Sequence, residues 1–227
     1  MAIPLLESVD ISAKTLTTDA LLTQRKLADY LLSHNAHYVF TVKANQPSMQ
    51  ADIRLLFEDR DEADFCEPPQ LGHGRIEQRK IWTSTALNNY LSFPGVAQVF
   101  VIERHVTRKK TNKHSVETVY GITSHQPESA DAAQLLAYNR NHWSVESSHY
   151  ILDWNWDEDR CRIRSGNAPE NMTALRRFAS GIIQAQSNDS VSSTIQRLAR
   201  NVRLVFDYLR MTDNSRPRLR RAQPAAG

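Results

Sequence analysis

Hydrophobic and polar positions along the first fifty residues switch between two periods. KTLTTDALL reads as a short β-branched strand whose end carries Asp19, and TQRKLADYLLSH places Leu27, Tyr30 and Leu31 at helical spacing. HYVFTVK is a continuous apolar run of the kind that forms a strand buried on both faces, and it is stopped by NQP. SMQADIRLLFE follows as a helix, with Ser48 as its expected N-cap, and IPLLESV at the start reads as a helix end. Strand, helix, strand, helix predicts a parallel pair joined by a crossover, so the expected fold class is α/β.

The pattern changes between residues 61 and 126. HGRIEQRKIWTST, QVFVIERHVTRK and HSVETVYGITS are extended and rich in β-branched or aromatic residues, separated by the turn material EPPQLG, SFPG and KKTNK. Antiparallel hairpins are the natural connection, either continuing the first sheet or inserted into it. From residue 127 to 186 the chain reads as helical, with Pro169 near the start of APENMTALRRFASGIIQAQ. A further helix is expected over 187–212, and the closing segment 213–227, which contains NSRPRLRRAQPAAG, has too little apolar content to pack and is expected to be a disordered basic tail.

Composition narrows the classes. No apolar run approaches the ~20 residues of a membrane span and the start lacks the features of a signal peptide, so a cytoplasmic protein without a membrane partner is expected. Cys66 and Cys161 lie far apart and form no CxxC pair, which argues against a zinc knuckle or a disulfide framework. With 7 glycines and no glycine-rich loop, a nucleotide-binding fingerprint is absent. The net charge of +3 is unevenly distributed: from Arg160 onward 13 Lys and Arg face 4 Asp and Glu, whereas the preceding residues hold 15 against 21. That asymmetry fits a polyanion partner or a solvated basic face.

Three places carry candidate chemistry. In RNHWSVESSHYILDW, read as one helix, His142, Glu146, His149, Tyr150 and Asp153 share a polar face, while Trp143, Val145, Ile151, Leu152 and Trp154 can pack. A carboxylate flanked by imidazoles can bind a divalent metal or serve in acid–base chemistry, and a solvated helix with His–Glu pairs explains the same pattern. Asp19 ends a strand, where open α/β sheets place ligands; a cap for the next helix is the alternative. In VKANQP, Lys43 stands beside Asn45 and Gln46, either as phosphate or base contacts or as a polar turn.

Taken in order, TTDALLTQ, HYVFTVKANQPSM, GHGRIEQR and RNHWSVESSHYILDWNWDEDRCRIRSGNAPENMTALRRFA resemble the DDE transposases of bacterial insertion sequences, specifically the H-repeat-associated subgroup. The resemblance runs over nearly the whole chain to about residue 180. It implies a ribonuclease H-like catalytic core, with 1–60 and 127–186 belonging to the core and 61–126 a β-rich insertion. It also implies metal-dependent cleavage and strand transfer of DNA, with Mg²⁺ or Mn²⁺ as cofactor. Asp19 matches the second catalytic aspartate and Glu146 the catalytic glutamate, both as metal ligands. Mg²⁺ prefers hard oxygen donors, and a pair of ions about 4 Å apart can activate the attacking hydroxyl and stabilise the leaving oxygen.

Lys43, Asn45, Arg140, His142, Arg160, Arg162 and Arg164 are the expected DNA contacts, the partners being terminal inverted repeats and target DNA in a bacterial nucleoid. A homo-oligomer stays open. In the broader superfamily the glutamate's helix carries a tyrosine, an arginine and a lysine at set offsets; here His142 stands one turn before Glu146 and Asp153 two turns after, while Arg140 is retained as in the subgroup. The family's first catalytic aspartate lies on an upstream strand, but only 18 residues precede Asp19 and Asp10 falls in the wrong element. The expectation is therefore an N-terminally truncated frame, with an inactive remnant that at most binds DNA as the alternative to an active transposase. An unrelated hydrolase using His142, Glu146 and His149 is a third reading.

Overall fold

The computed structural model describes residues 2–72 and 74–212, so the tail expected over 213–227 lies outside the described residues. The chain divides into two compact units, Met1–Trp143 and Ser144–Gly227. Among the described residues no helix is long and apolar enough to cross a membrane.

In the first unit α1 (Ala2–Leu6) precedes β1 (Thr15–Thr18), a 3₁₀ turn (Ala20–Leu22), α2 (Arg25–Ser33), β2 (His37–Val42) and α3 (Pro47–Leu56). Then come β3 (Phe65–Cys66), β4 (Gln70–Gly72), β5 (Arg75–Ser84), β6 (Gln98–Arg108), β7 (His114–Thr123) and α4 (Ala132–His142). The described strands make one sheet in the order β1-β2-β7-β6-β5-β3, with β4 also paired to β5. β1 and β2 are the parallel pair that the strand–helix–strand pattern predicts. β7 pairs antiparallel with β2, Val39 opposite Thr123, so the β-rich segment continues the sheet. Among the described residues β1 has β2 as its one sheet neighbour and forms an edge.

Side-chain alternation sorts the core into two layers. Tyr38, Phe40, Val42, Trp82, Val99, Val101 and Ile122 face Leu27, Ala28 and Leu31 of α2 and Met49 and Ile53 of α3. Their chain neighbours Val39, Ile81, Phe100 and Ile102 face the other way, against Leu135 and Leu136 of α4. Helices therefore cover both faces, which is why HYVFTV reads as a continuous apolar run. β7 yields to this packing at Gly121, opposite Phe100: a Cβ there would collide with the Phe100 ring. A glycine inside a strand marks such close approaches.

Several local expectations are corrected. The N-cap of α3 is Gln46, without a side-chain cap bond, because Pro47 with its preset φ and missing N–H starts the helix one residue before Ser48. EPPQLG is not turn material throughout, since Gln70–Gly72 adds a short strand to β5. The expected single helix over RNHWSVESSHYILDW is divided: α4 stops at His142, Trp143 closes it through an N–H donated to the Arg140 carbonyl at 3.2 Å, and α5 (Ser144–Tyr150) begins anew. That i→i+3 bond tightens the last turn and ends the α-helical ladder.

The second unit continues from α5 into a π-helical turn, Ile151–Asn155, in which the Trp156 N–H reaches the Ile151 carbonyl at 3.2 Å. α6 (Ala168–Gln186) starts with Pro169 in its first turn, as expected. The last predicted helix is two, α7 (Val191–Arg200) and α8 (Arg203–Tyr208), because Asn201 leaves the helical region at φ −142°, ψ 86°. Asn competes for backbone hydrogen bonds and favours such boundaries. The Trp156 indole N–H donates to the Ser180 hydroxyl at 2.7 Å, fixing the π turn to α6.

Candidate functional site

The residues singled out by the sequence fall in both units. Asp19, Lys43, Asn45, Arg140 and His142 belong to the first; Glu146, Arg160, Arg162 and Arg164 belong to the second. Each group is described in its own surroundings.

Asp19 directly follows β1 and precedes the 3₁₀ turn, in extended conformation, and its side chain makes no capping bond. The carboxylate is exposed and, among the described residues, unpartnered, so the capping alternative does not account for it. The backbone beneath it is held firmly. Thr23, fully buried, donates its hydroxyl to the Thr41 carbonyl at 2.6 Å. The Asn45 amide donates to the Ala20 carbonyl, and Gln46 donates to the Thr23 carbonyl at 3.2 Å. The polar turn after β2 thus clamps the turn after Asp19; in this structure Asn45 positions that loop. Lys43 is exposed just past the end of β2, without an ion-pair partner among the described residues.

His142 comes to the same strand. Its Nδ1 lies 3.2 Å from the Thr17 hydroxyl, two residues before Asp19, so the last turn of α4 is bonded to β1. Arg140, two residues earlier, is occupied elsewhere: it donates to Glu67 Oε1 at 2.8 Å and to Gln70 Oε1 at 3.3 Å. Sequence reasoning missed Thr17, Glu67 and Gln70 because their partners lie far away in the chain. The one local signal was the alternation of Thr15 and Thr17 on one face of β1.

In the second unit Glu146 lies in the first turn of α5, exposed, with no ion-pair partner among the described residues. A carboxylate in a helix's first turn is favoured by the helix dipole. The loop after the π turn carries the three arginines. Arg160 is 3.5 Å from Asp157 and stands over the Trp154 ring, while Arg162 and Arg164 are exposed. The neighbouring Cys161 thiol is held below its ordinary pKa, first by a hydrogen bond with Arg176 and next by one with the Ile163 backbone. Arg176 itself lies 3.8 Å from Glu158.

Residues 1–181 match the family described as the transposase DDE domain. The chain belongs to the DDE transposase family. It is 30% identical over 225 residues to the "H repeat-associated putative transposase YhhI" of Escherichia coli strain K12, covering 92% of this chain and 57% of that protein. It has the same identity and coverage with the "Putative protein YbfL" of the same strain. It is 28% identical to the "Putative transposase YncI" of Escherichia coli O157:H7, over 81% of this chain and 49% of the relative. The chain spans about half the length of these curated relatives. Its mixed sheet with helices on both faces is consistent with the ribonuclease H-like core of DDE transposases.

DDE transposases generally use divalent metal ions. Mg²⁺ prefers hard oxygen donors and commonly takes one or two carboxylates together with water and substrate phosphates, and Asp19 and Glu146 are each exposed carboxylates. Among the described residues no group of three or more His, Cys, Asp or Glu could hold a metal ion.

Proposed function

We propose that this DDE transposase chain acts in DNA transposition, cutting and joining the ends of an insertion sequence in a bacterial cytoplasm. The observation that carries the reading is the family match over residues 1–181, with Asp19 exposed and, among the described residues, unpartnered at the carboxyl end of a parallel strand. Open α/β sheets bind ligands at such strand ends. Asp19 and Glu146 would hold Mg²⁺ or Mn²⁺ together with phosphate oxygens of the DNA. When bound, the metal would polarise phosphate and help generate the attacking hydroxide or 3′-hydroxyl.

This chain's own residues would bind and orient the substrate. Lys43, just past the end of the strand paired with β1, offers a cation to a phosphate; Asn45 keeps the Asp19 turn in place; and His142 fixes α4 against β1. Arg160, Arg162 and Arg164 would follow the DNA backbone, a sequence-independent contact that weakens with salt. Arg140 would have to leave Glu67 to reach phosphate.

The test is strand cleavage and transfer by the purified chain on duplexes bearing terminal inverted repeats, with Mg²⁺ or Mn²⁺. Asp19→Asn and Glu146→Gln should each lower the rate by at least about 100-fold. Both side chains are exposed and, among the described residues, unpartnered, so stability should change by no more than about 0.5 kcal/mol. Duplex binding without cleavage, unaffected by either substitution, would favour a catalytically inactive DNA-binding remnant.

A further inference from the structure

We propose that the free end of the β6–β7 hairpin, carrying Arg108, Lys109, Lys110 and Lys113, docks on the phosphate backbone of duplex DNA. This inference rests on the reading of the chain as a DNA-acting protein, and it adds a contact surface apart from the Asp19 strand end.

The first support is charge. From Arg104 to Ser115 the chain reads RHVTRKKTNKHS, with five Lys and Arg, two His and no acid. At the root of the arm the cations are matched. Arg104 donates to Glu77 Oε1 at 2.9 Å and lies 3.4 Å from Glu117, and Arg79, opposite Arg104, also pairs with Glu77. At the tip the matching stops. Arg108, Lys109, Lys110 and Lys113 are exposed and, among the described residues, none makes an ion pair. Arg108 stands opposite Arg75 across the ladder; Arg75 is paired with Glu77, whereas Arg108 has no ion-pair partner among the described residues.

The second support is position. Val42, the last residue of β2, pairs with Tyr120, and the earlier residues of β7 back to His114 extend past it. At about 3.3 Å per residue, those six residues carry the tip roughly 20 Å beyond the end of β2. The extension runs toward the carboxyl ends of β1 and β2, where Asp19 and Lys43 lie. Measured along B-DNA at about 3.4 Å per base pair, the arm spans roughly six base pairs. A duplex lying across the strand ends could therefore meet the tip and the Asp19 end together.

The third support is construction. β5, β6 and β7 remain paired to the end of the arm, Thr107 opposite His114. The tip is closed by the Arg108 N–H donated to the Lys113 carbonyl at 2.9 Å and tied to the neighbouring turn by the Lys109 N–H donated to the Gly74 carbonyl at 2.9 Å. The backbone is thus fixed while the cationic side chains are free, an arrangement suited to contacting phosphate without reading bases.

The experiment measures binding of the full chain to a fluorescent duplex across a salt series. Lys109→Gln with Lys110→Gln is compared with a control of equal charge loss, Lys14→Gln with Arg54→Gln. The tip variant should bind roughly tenfold more weakly at physiological salt and lower the slope of log K against log[salt] by about 2, at about 0.9 per lost phosphate contact. If the unaltered chain binds duplex and the tip variant matches the control in affinity and slope, the hairpin proposal is overturned while the transposition reading stands. A tip-dependent affinity in a chain that neither cuts nor joins DNA would uphold the hairpin and defeat that reading. Binding to anionic phospholipid vesicles but not to duplex would overturn both.

Discussion

The Thr17 hydroxyl and His142 Nδ1 lie 3.2 Å apart, joining residues 125 positions apart in sequence. Through this contact the last turn of α4 is bonded to the strand that delivers Asp19. Thr17→Val keeps the β-branched shape and removes the bond, so it should lower stability by about 1 kcal/mol. Urea denaturation should show a lower midpoint with an unchanged m value. In a double-mutant cycle with His142→Phe, the coupling should be about 0.5–1.5 kcal/mol; additivity would mean that the two groups do not interact.

Gly121 sits under the Phe100 ring, and both belong to the middle of the sheet. Gly121→Ala should destabilise the first unit by about 1–3 kcal/mol through overpacking. Phe100→Leu in the same chain should relieve part of that loss, so the double variant should be more stable than the sum of the single effects predicts. Thermal unfolding of the three variants checks this.

His125 is buried, with Nε2 2.9 Å from the Thr15 hydroxyl and Nδ1 3.0 Å from the Ser129 hydroxyl. Burial first, and the stacked His37 ring second, push its pKa down to about 4. The unfolded chain, with an ordinary histidine pKa near 6.5, therefore binds more protons than the folded one as pH falls below that value. Stability should be complete above about pH 6.5 and should decline as pH falls through about 4, by at most about 3 kcal/mol from this group. His125→Gln should flatten this part of the stability profile, and ring resonances of His125 should titrate near pH 4 in the native protein.

Cys161 and Cys66 are both free thiols. Because the Arg176 hydrogen bond lowers the Cys161 pKa, more of it is thiolate at neutral pH than an ordinary cysteine would give. Arg176→Ala should slow alkylation of Cys161 roughly several-fold. Mass spectrometry of peptides containing each cysteine separates this change from any general loosening, which would speed Cys66 as well.

Sequence patterning reached the elements whose side chains announce their surroundings. HYVFTV has the continuous apolar pattern of a buried strand, and the long β5, β6 and β7 were visible from their β-branched runs and turn separators. What it missed depends on backbone bonding and on distant partners. Nothing in the spacing of His142 and Glu146 reveals that Trp143 closes one helix and that another begins at Ser144. The same limit applies at Ile151, where the hydrogen-bond step lengthens by one residue, and at Asn201. Around the candidate site, the position of Asp19 after a strand was legible from TLTTDALL alone. That Arg140 is held by Glu67, and Asn45 by the Ala20 carbonyl, was not, because each bond joins segments that approach only in the folded sheet.

The edge position of β1 raises the question of how Asp19 keeps its address. Thr15–Thr18 contains one apolar residue, Leu16, which is little for hydrophobic patterning to hold against sliding along β2. Thr15 and Thr17 replace that missing grip, one bonded to His125 before α4 and the other to His142 at its end. A slide of one residue would break both bonds together and turn the Asp19 carboxylate to the opposite side of the sheet. Two threonine–histidine pairs thus act as a vernier, setting a carboxylate in place from the side of the strand that carries little hydrophobic weight.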